Sequence, residues 1–147
     1  MESVKIRKAD KGDIPDLLRL AEEFMPREAS MESRTIVLKE SLASPHYELL
    51  VADSDGKVIG FIDQWITSDF THGGKSGFIH NFYVMSKYRR KGIGSKLLRR
   101  MIENAIKKDV IEIHVATEFA NKPAIALYKS HGFTNEALQL EMEIEKR

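Results

Sequence analysis

The chain has 147 residues, with 23 Lys and Arg against 22 Asp and Glu, a formal net charge of +1 and no cysteine. Near neutrality argues against bulk electrostatic attraction to nucleic acid, and the lack of cysteine removes disulfides, thiolate metal sites and a cysteine nucleophile. The length suits a single domain over residues 1–147 that buries roughly 68–70% of its unfolded surface in one core.

Val4–Lys8 reads as a short strand. Asp13 is placed to cap a helix whose apolar face is Ile14, Leu17, Leu18, Ala21, Phe24 and Met25, with Pro15 tolerated in the first turn and Pro26 ending it. A less regular helix over Met31–Leu42 carries Ile36, Val37 and Leu42 toward the core. Residues 47–52 and 57–67 are apolar, β-rich runs joined by Asp53-Ser54-Asp55-Gly56, a hairpin turn in which Gly56 can take positive φ. Residues 69–77, with Gly73-Gly74, read as a mobile polar loop before a strand at 78–84. A basic, glycine-containing turn follows. After it, Leu97, Leu98, Met101, Ile102, Ala105 and Ile106 form one face of a helix beginning near Gly94 or Ser95. Residues 110–117 form another strand and residues 123–130 a helix, and Leu138, Leu140, Met142 and Ile144 then alternate with Gln139, Glu141 and Glu143 as in a half-exposed final strand. The order β α α β β β α β α β gives a mixed α/β fold with antiparallel hairpins and one β-α-β passage.

The turn between strand and helix carries the chemistry. The first turn of a helix has backbone N–H groups without intrahelical partners and the positive end of the macrodipole, and the glycines let a ligand approach the main chain, so phosphate is its natural guest. Lys87 to Lys91 add a local cluster of positive charge sized for a small polyanion. The spacing fits neither the G-x-x-x-x-G-K-[ST] phosphate loop nor the G-x-G-x-x-G dinucleotide fingerprint. What stands here is Arg89-x-x-Gly92-x-Gly94, and downstream runs Asn121-Lys122-Pro123-Ala124-Ile125-Ala126-Leu127-Tyr128-Lys129-Ser130-His131-Gly132-Phe133.

These blocks resemble the R/Q-x-x-G-x-G/A signature and the N-x-x-A-x-x-L-Y-x-x-x-G-F segment of the GNAT superfamily of acyl-CoA-dependent N-acetyltransferases. The resemblance covers essentially the whole chain. It implies a central, mostly antiparallel mixed sheet flanked by helices, whose strands at 78–84 and 110–117 splay apart to admit the acyl-pantetheine arm of acetyl-CoA. It places the pyrophosphate on Arg89, Arg90, Lys91, Gly92, Ile93, Gly94 and Ser95, gives Asn121 a cofactor contact besides its helix-cap role, and pairs the pantetheine with the main chain of Phe82, Tyr83 and Val84.

The remaining task is to bring an amine to a thioester carbonyl, deprotonate it, stabilise the oxyanion and protonate the leaving thiolate. By the resemblance, the N–H of Val84 or a neighbour polarises the carbonyl. A phenol with a free pKa of about 10 can give its proton to a thiolate whose own value is about 8.5, which suits Tyr128; the alternative is that Tyr128 only packs its helix onto the sheet, like Leu127 beside it. His80 interrupts the apolar set Phe78, Phe82, Val84 near where several relatives carry a glutamate base, and histidine is the side chain that changes charge near neutral pH. A buried or half-buried histidine hydrogen-bonded for structure, or a water relay to solvent, is the competing reading. Asn81, on the opposite strand face from His80, could orient the substrate; Asp63, Trp65 and Glu118 are candidates for amine recognition. His46, His72, His114 and His131 join no constellation, and no metal site is expected.

The expected activity is direct acetyl transfer from acetyl-CoA to a primary amine of a small molecule or protein; a non-catalytic CoA-binding sensor is the alternative. The N-terminus lacks the apolar core of a signal peptide and no apolar run is long enough to span a membrane, so a cytoplasmic enzyme without nucleic-acid or membrane partners is expected. The last strand also permits a homodimer.

Overall fold

A computed structural model describes residues 3–145. The elements run β1 (Val4–Lys8), α1 (Ile14–Phe24), α2 (Met31–Leu42), β2 (Tyr47–Ser54), β3 (Lys57–Asp69), β4 (Gly74–Val84), α3 (Ile93–Lys107), β5 (Val110–Val115) and α4 (Lys122–Ser130). The five strands lie side by side in sequence order; β1 to β4 pair antiparallel, and β4 pairs parallel with β5 across the α3 crossover. The expected mixed, mostly antiparallel architecture is therefore present.

Side-chain alternation along β2 and β3 sends two apolar sets to opposite faces. Leu50, Ala52, Ile59, Ile62 and Ile79 pack with Ile93, Leu97, Leu98 and Met101 of α3 and with Tyr128 of α4. Leu49, Val51, Val58 and Phe61 pack with Leu17 and Leu20 of α1, and Phe24 adds its ring to Phe61 and Tyr83 at centroid distances of 6.3 and 5.3 Å. The sheet is thus the middle layer of three. At the tip between β2 and β3, Asp55 and Gly56 have φ of 49° and 91°, the double positive φ of a tight hairpin turn, and Asp53 Oδ1 accepts from the Gly56 N–H at 2.7 Å.

Several expectations need correction. Asp13 does not cap α1 with its side chain. Its buried carboxylate accepts from Arg7 Nη1 and Nη2 at 2.8 Å each and from the Asp10 N–H, and the Arg7 guanidinium holds its pKa below the usual carboxylate range. Of the three residues of α2 expected in the core, Leu42 meets it, whereas Ile36 and Val37 are exposed and Leu38, one turn before Leu42, packs there instead. Ile106 of α3 is likewise exposed. The supposed loop at 69–77 is mostly strand, since Ser68 pairs with Lys75 and Asp69 with Gly74, and only residues 70–73 form the turn. Polar residues hold this ladder through backbone pairing, which hydrophobic periodicity does not report. Finally, residues 134–145 form no strand: Leu138, Leu140, Met142 and Ile144 are 75, 83, 81 and 86% exposed. A strand without a neighbour has no partner for its N–H and C=O groups, and alternation alone does not supply one.

Candidate active site

The ladder between β4 and β5 runs from Lys75 opposite Val110 to Ile79 opposite Val115 and stops there, while β4 continues to Val84. Residues 80–84 therefore have β3 on one side and no strand on the other. A break in register accompanies the parting: Ile62 pairs with Phe82 but Gln64 with Ile79, so Asp63 spans both His80 and Asn81. Asp63, only 4% exposed, holds this bulge by accepting from the Asn81 N–H at 2.8 Å, Asn81 Nδ2 at 2.9 Å and the Tyr47 hydroxyl at 2.7 Å. Burial first, then the charge and hydrogen bond of Asp63, drive the Tyr47 phenol far above its ordinary value. Trp65 lies against the Tyr47 ring at 4.7 Å. Asp63 is thus no solvated strand-end acid, and Asn81, expected to be free to orient a substrate, is bonded to it.

The bulge also revises the reading of His80. Phe82 and Val84 pack into the α3 side of the core. Phe78 instead stacks on His114 at 4.8 Å, and Ile113 and Val115, the strand neighbours of His114, belong to that same α3-side core. The extra residue reverses the alternation, so Phe78, Phe82 and Val84 do not share a face. His80 sits on the bulge and is exposed; it is not a buried structural histidine.

At the open side of β4 stands the start of α3. Arg90 and Gly92 have φ of 63° and 79°, and no side chain caps the helix. Intrahelical bonding begins with the Lys96 N–H donating to the Gly92 carbonyl at 3.1 Å, which leaves the amides of Ile93, Gly94 and Ser95 for a ligand. The Gly94 Cα looks toward Phe82 and Leu127, whose atoms would lie 3.5 and 3.8 Å from an added Cβ. Arg89 ties the turn back to β4: its Nε donates to the Val84 carbonyl at 2.9 Å and its guanidinium lies 5.3 Å from the Tyr83 ring centre. Lys87 and Lys91 flank the Tyr88 ring at 5.4 and 5.6 Å. The basic residues of this turn thus immediately precede a set of free amides in the chain, a combination of charges and donors that fits a pyrophosphate.

The downstream block closes the site. Asn121 caps α4 by accepting from the Ala124 N–H at 3.2 Å. Tyr128, 9% exposed, has its ring 6.2 Å from Phe82 and 5.7 Å from Phe133, and burial raises its pKa. Its hydroxyl has no hydrogen-bond partner among the described residues. His131, which the sequence left without a role, links the two blocks: Nδ1 faces the Leu127 carbonyl at 3.0 Å and Nε2 faces Ser95 Oγ at 3.0 Å. With the proton on Nδ1, Nε2 accepts from the Ser95 hydroxyl and fixes the first turn of α3 against α4. Only a spatial partner gives His131 this task, so spacing offered no signal. Glu118 is exposed. Among the described residues no cluster of three His, Asp or Glu could hold a metal, and no helix is long and apolar enough to cross a membrane.

The family model "Acetyltransferase (GNAT) family" matches residues 14–133. A thialysine N-epsilon-acetyltransferase of Mus musculus is 30% identical over 147 residues, covering 90% of this chain and 85% of the relative. An Agrobacterium tumefaciens protein assigned as an acetyltransferase superposes with a TM-score of 0.86 at 25% identity, covering 95% of this chain and 99% of the other. The aminoglycoside acetyltransferase AAC(6')-Iy, solved with a bisubstrate analogue containing CoA, superposes with a TM-score of 0.82 at 22% identity and 99% coverage of both chains. Parted strands with free helix amides at their mouth are thus found in a sequence that matches the family over most of its length, and the chain belongs to the GNAT acetyltransferases, enzymes that use acetyl-CoA to acetylate amines.

Proposed function

We propose that the opening between the end of β5 and residues 80–84 of β4 receives the acyl-pantetheine arm, with the pyrophosphate on the amides of Ile93, Gly94 and Ser95. The carrying observation is that β4 loses its β5 neighbour after Ile79 at the point where α3 presents three unbonded amides. Arg90 and Lys91 supply positive charge, Arg89 fixes the turn to β4, and the main chain of Phe82, Tyr83 and Val84 pairs with the pantetheine amides as an added strand would. Asn121 keeps the α4 cap and can offer its amide nitrogen to the ligand. Acetyl-CoA contributes the activated acyl thioester.

Tyr128 Oη holds the proton that a departing thiolate needs. Its raised pKa keeps that proton in place throughout the neutral range, and its hydroxyl is not committed to another described residue. His80, exposed on the bulge, takes a proton from the acceptor ammonium directly or through water, which frees the lone pair with which the neutral amine attacks the thioester carbonyl. A main-chain N–H at Val84 or its neighbour steadies the oxyanion. Since all donors to the Asp63 carboxylate come from Tyr47 and Asn81, we assign Asp63 to holding the bulge, and not to direct capture of the amine. The acceptor is a primary amine of a small molecule or protein, and the similarity to a thialysine acetyltransferase supports an aliphatic amine. A cytoplasmic location and a homodimer accompany this reading; nucleic acid and membrane do not.

Isothermal titration of acetyl-CoA and CoA tests the placement. Saturable binding to the wild type and its loss in Gly92→Glu, which adds bulk and negative charge at the cradle, is the expected result. Equal binding by the variant overturns the assignment, while tight binding without turnover of any amine favours a CoA sensor.

A further inference from the structure

On the face of the sheet away from α3, Tyr47, Trp65, Phe78 and His114 stand directly opposite one another on β2, β3, β4 and β5. Residues opposite each other on paired strands share a face, so the four rings form one row. The core beneath α1 and α2 takes in Tyr47 but none of the other three. Trp65 and Phe78 are half-buried and belong to neither core, and the His114 side chain is 46% exposed. The row leads to the opening beside β4. His80 lies two residues beyond Phe78, about 7 Å along the strand. Ile79 between them packs on the α3 side, so alternation puts His80 on the face of the row.

Ring orientation decides what the row can hold. Phe78 and His114 are stacked at 4.8 Å with 14° between their planes, and Tyr47 and Trp65 lie 4.7 Å apart. Side chains stand roughly perpendicular to a sheet, so Phe78 and His114 turn their faces to each other and their edges outward. An aromatic edge is the positive part of the quadrupole; it attracts the face of another ring and repels an ammonium. The carboxylates two positions from Trp65 and His114 are committed as well. Asp63 accepts from Tyr47 and Asn81, and Glu112 Oε1 lies 2.8 Å from His114 Nε2. A polycation therefore finds in the row neither a free ring face nor an uncommitted carboxylate.

We propose that this row seats the body of the acceptor and that the acceptor is an arylalkyl amine. Its ring lies on the edges of Trp65, Phe78 and His114, and its short arm carries the nitrogen past His80 to the thioester. The inference rests on the acyl-CoA placement proposed above and keeps the reacting nitrogen on an alkyl carbon. His80 takes one proton from the ammonium. The nitrogen then forms the C–N bond as the thioester C–S bond breaks, and the thiolate leaves with the Tyr128 proton. The second proton, shed by the new amide nitrogen, returns through water to the Tyr128 phenolate.

Trp65 is the single tryptophan of the chain, so its fluorescence reports on the row without any turnover. Phenethylamine titrated into the CoA-bound protein should give a saturable change in emission that is lost in Phe78→Ala, and spermidine should give none. With acetyl-CoA, kcat/KM for phenethylamine should exceed that for spermidine and for propylamine by about tenfold, the worth of one good ring contact. Phe78→Ala should erase this preference through KM, with the acetyl-CoA Kd unchanged. His114→Ala, which bares the Phe78 face and frees Glu112, should narrow it from the other side by admitting spermidine. Equal efficiencies for the three amines, or a preference that survives both variants, overturns the proposal while acetyl-CoA binding stands. A saturable signal from phenethylamine without acetylated product overturns the acceptor role of the row. A wild type that binds no acetyl-CoA overturns the placement beneath it, and the proposal with it.

Discussion

Gly92 and Gly94 stand two residues apart in the same turn, yet alanine should act on them with opposite sign. Gly92 has φ +79°, and an added Cβ would meet nothing within 4 Å, so the cost of a methyl there is conformational and not steric. A left-handed conformation costs a non-glycine residue about 1–2 kcal/mol. Gly94 lies inside the first turn of α3, and its added carbon would sit 3.5 Å from Phe82 Cζ, an ordinary van der Waals contact. Replacing a helical glycine by alanine there gains up to about 1 kcal/mol, less at the frayed first turn. Because 1 kcal/mol moves the Tm of a domain this size by roughly 2–4 °C, Gly92→Ala should melt about 2–8 °C lower and Gly94→Ala up to about 4 °C higher. Relief of strain at position 92 must shift the three free amides, so Gly92→Ala should also weaken acetyl-CoA binding by about tenfold or more, the loss of one charge-assisted hydrogen bond, with Gly94→Ala close to wild type. Calorimetric melting of the free protein and titration with acetyl-CoA measure both quantities. Equal Tm shifts at the two positions, or Gly92→Ala binding normally, would refute the reasoning about the turn.

Tyr128→Phe should lower kcat by about 10²–10⁴-fold while the Kd for acetyl-CoA stays within about twofold, since the phenyl ring keeps its contacts with Phe82 and Phe133; steady-state rates and titration separate the two. Asp63→Asn replaces a carboxylate that accepts three hydrogen bonds by an amide with one acceptor oxygen, so it should destabilise the protein by about 2 kcal/mol in urea unfolding and lower kcat/KM through the bulge that carries His80. Gln64 is fully buried with neither amide atom hydrogen-bonded, and Gln64→Leu should raise stability by about 1–3 kcal/mol in the same assay. Asp13 has a carboxyl pKa held below its free value by Arg7, so the stability it contributes is complete above pH ~4 and is lost as pH falls through the lower folded value. Asp13→Asn should therefore be less stable at pH 7 and show a shallower decline in Tm on acidification; an unchanged acid slope would exclude this pair as its source.

What the sequence made legible was local. The α3 face and the Arg89-x-x-Gly92-x-Gly94 turn are read from neighbours along the chain, and the structure buries Leu97, Leu98, Met101 and Ala105 of that face, though not Ile106, and leaves the amides of the turn free. What stayed hidden depends on a second strand or helix. The bulge at Asp63 is a property of β3 and β4 together, and it reverses which residues share a face with His80. Tyr47 gains its part from Asp63, 16 positions away, and His131 gains its part from Ser95, 36 positions away. The pairing of Asp69 with Gly74 rests on backbone groups, to which side-chain periodicity is blind. The alternation of Leu138 to Ile144 was legible as a pattern, but a pattern specifies a strand only where an edge is available to receive it.

Mass-spectrometric detection of acetylated product, with acetyl-CoA and a panel of primary amines, tests the central claim most directly. The account predicts N-acetylation of at least one amine by the wild type and a strongly reduced rate for Tyr128→Phe at undiminished acetyl-CoA affinity. Saturable acetyl-CoA binding with no acetylated amine, or full activity in Tyr128→Phe, would contradict it.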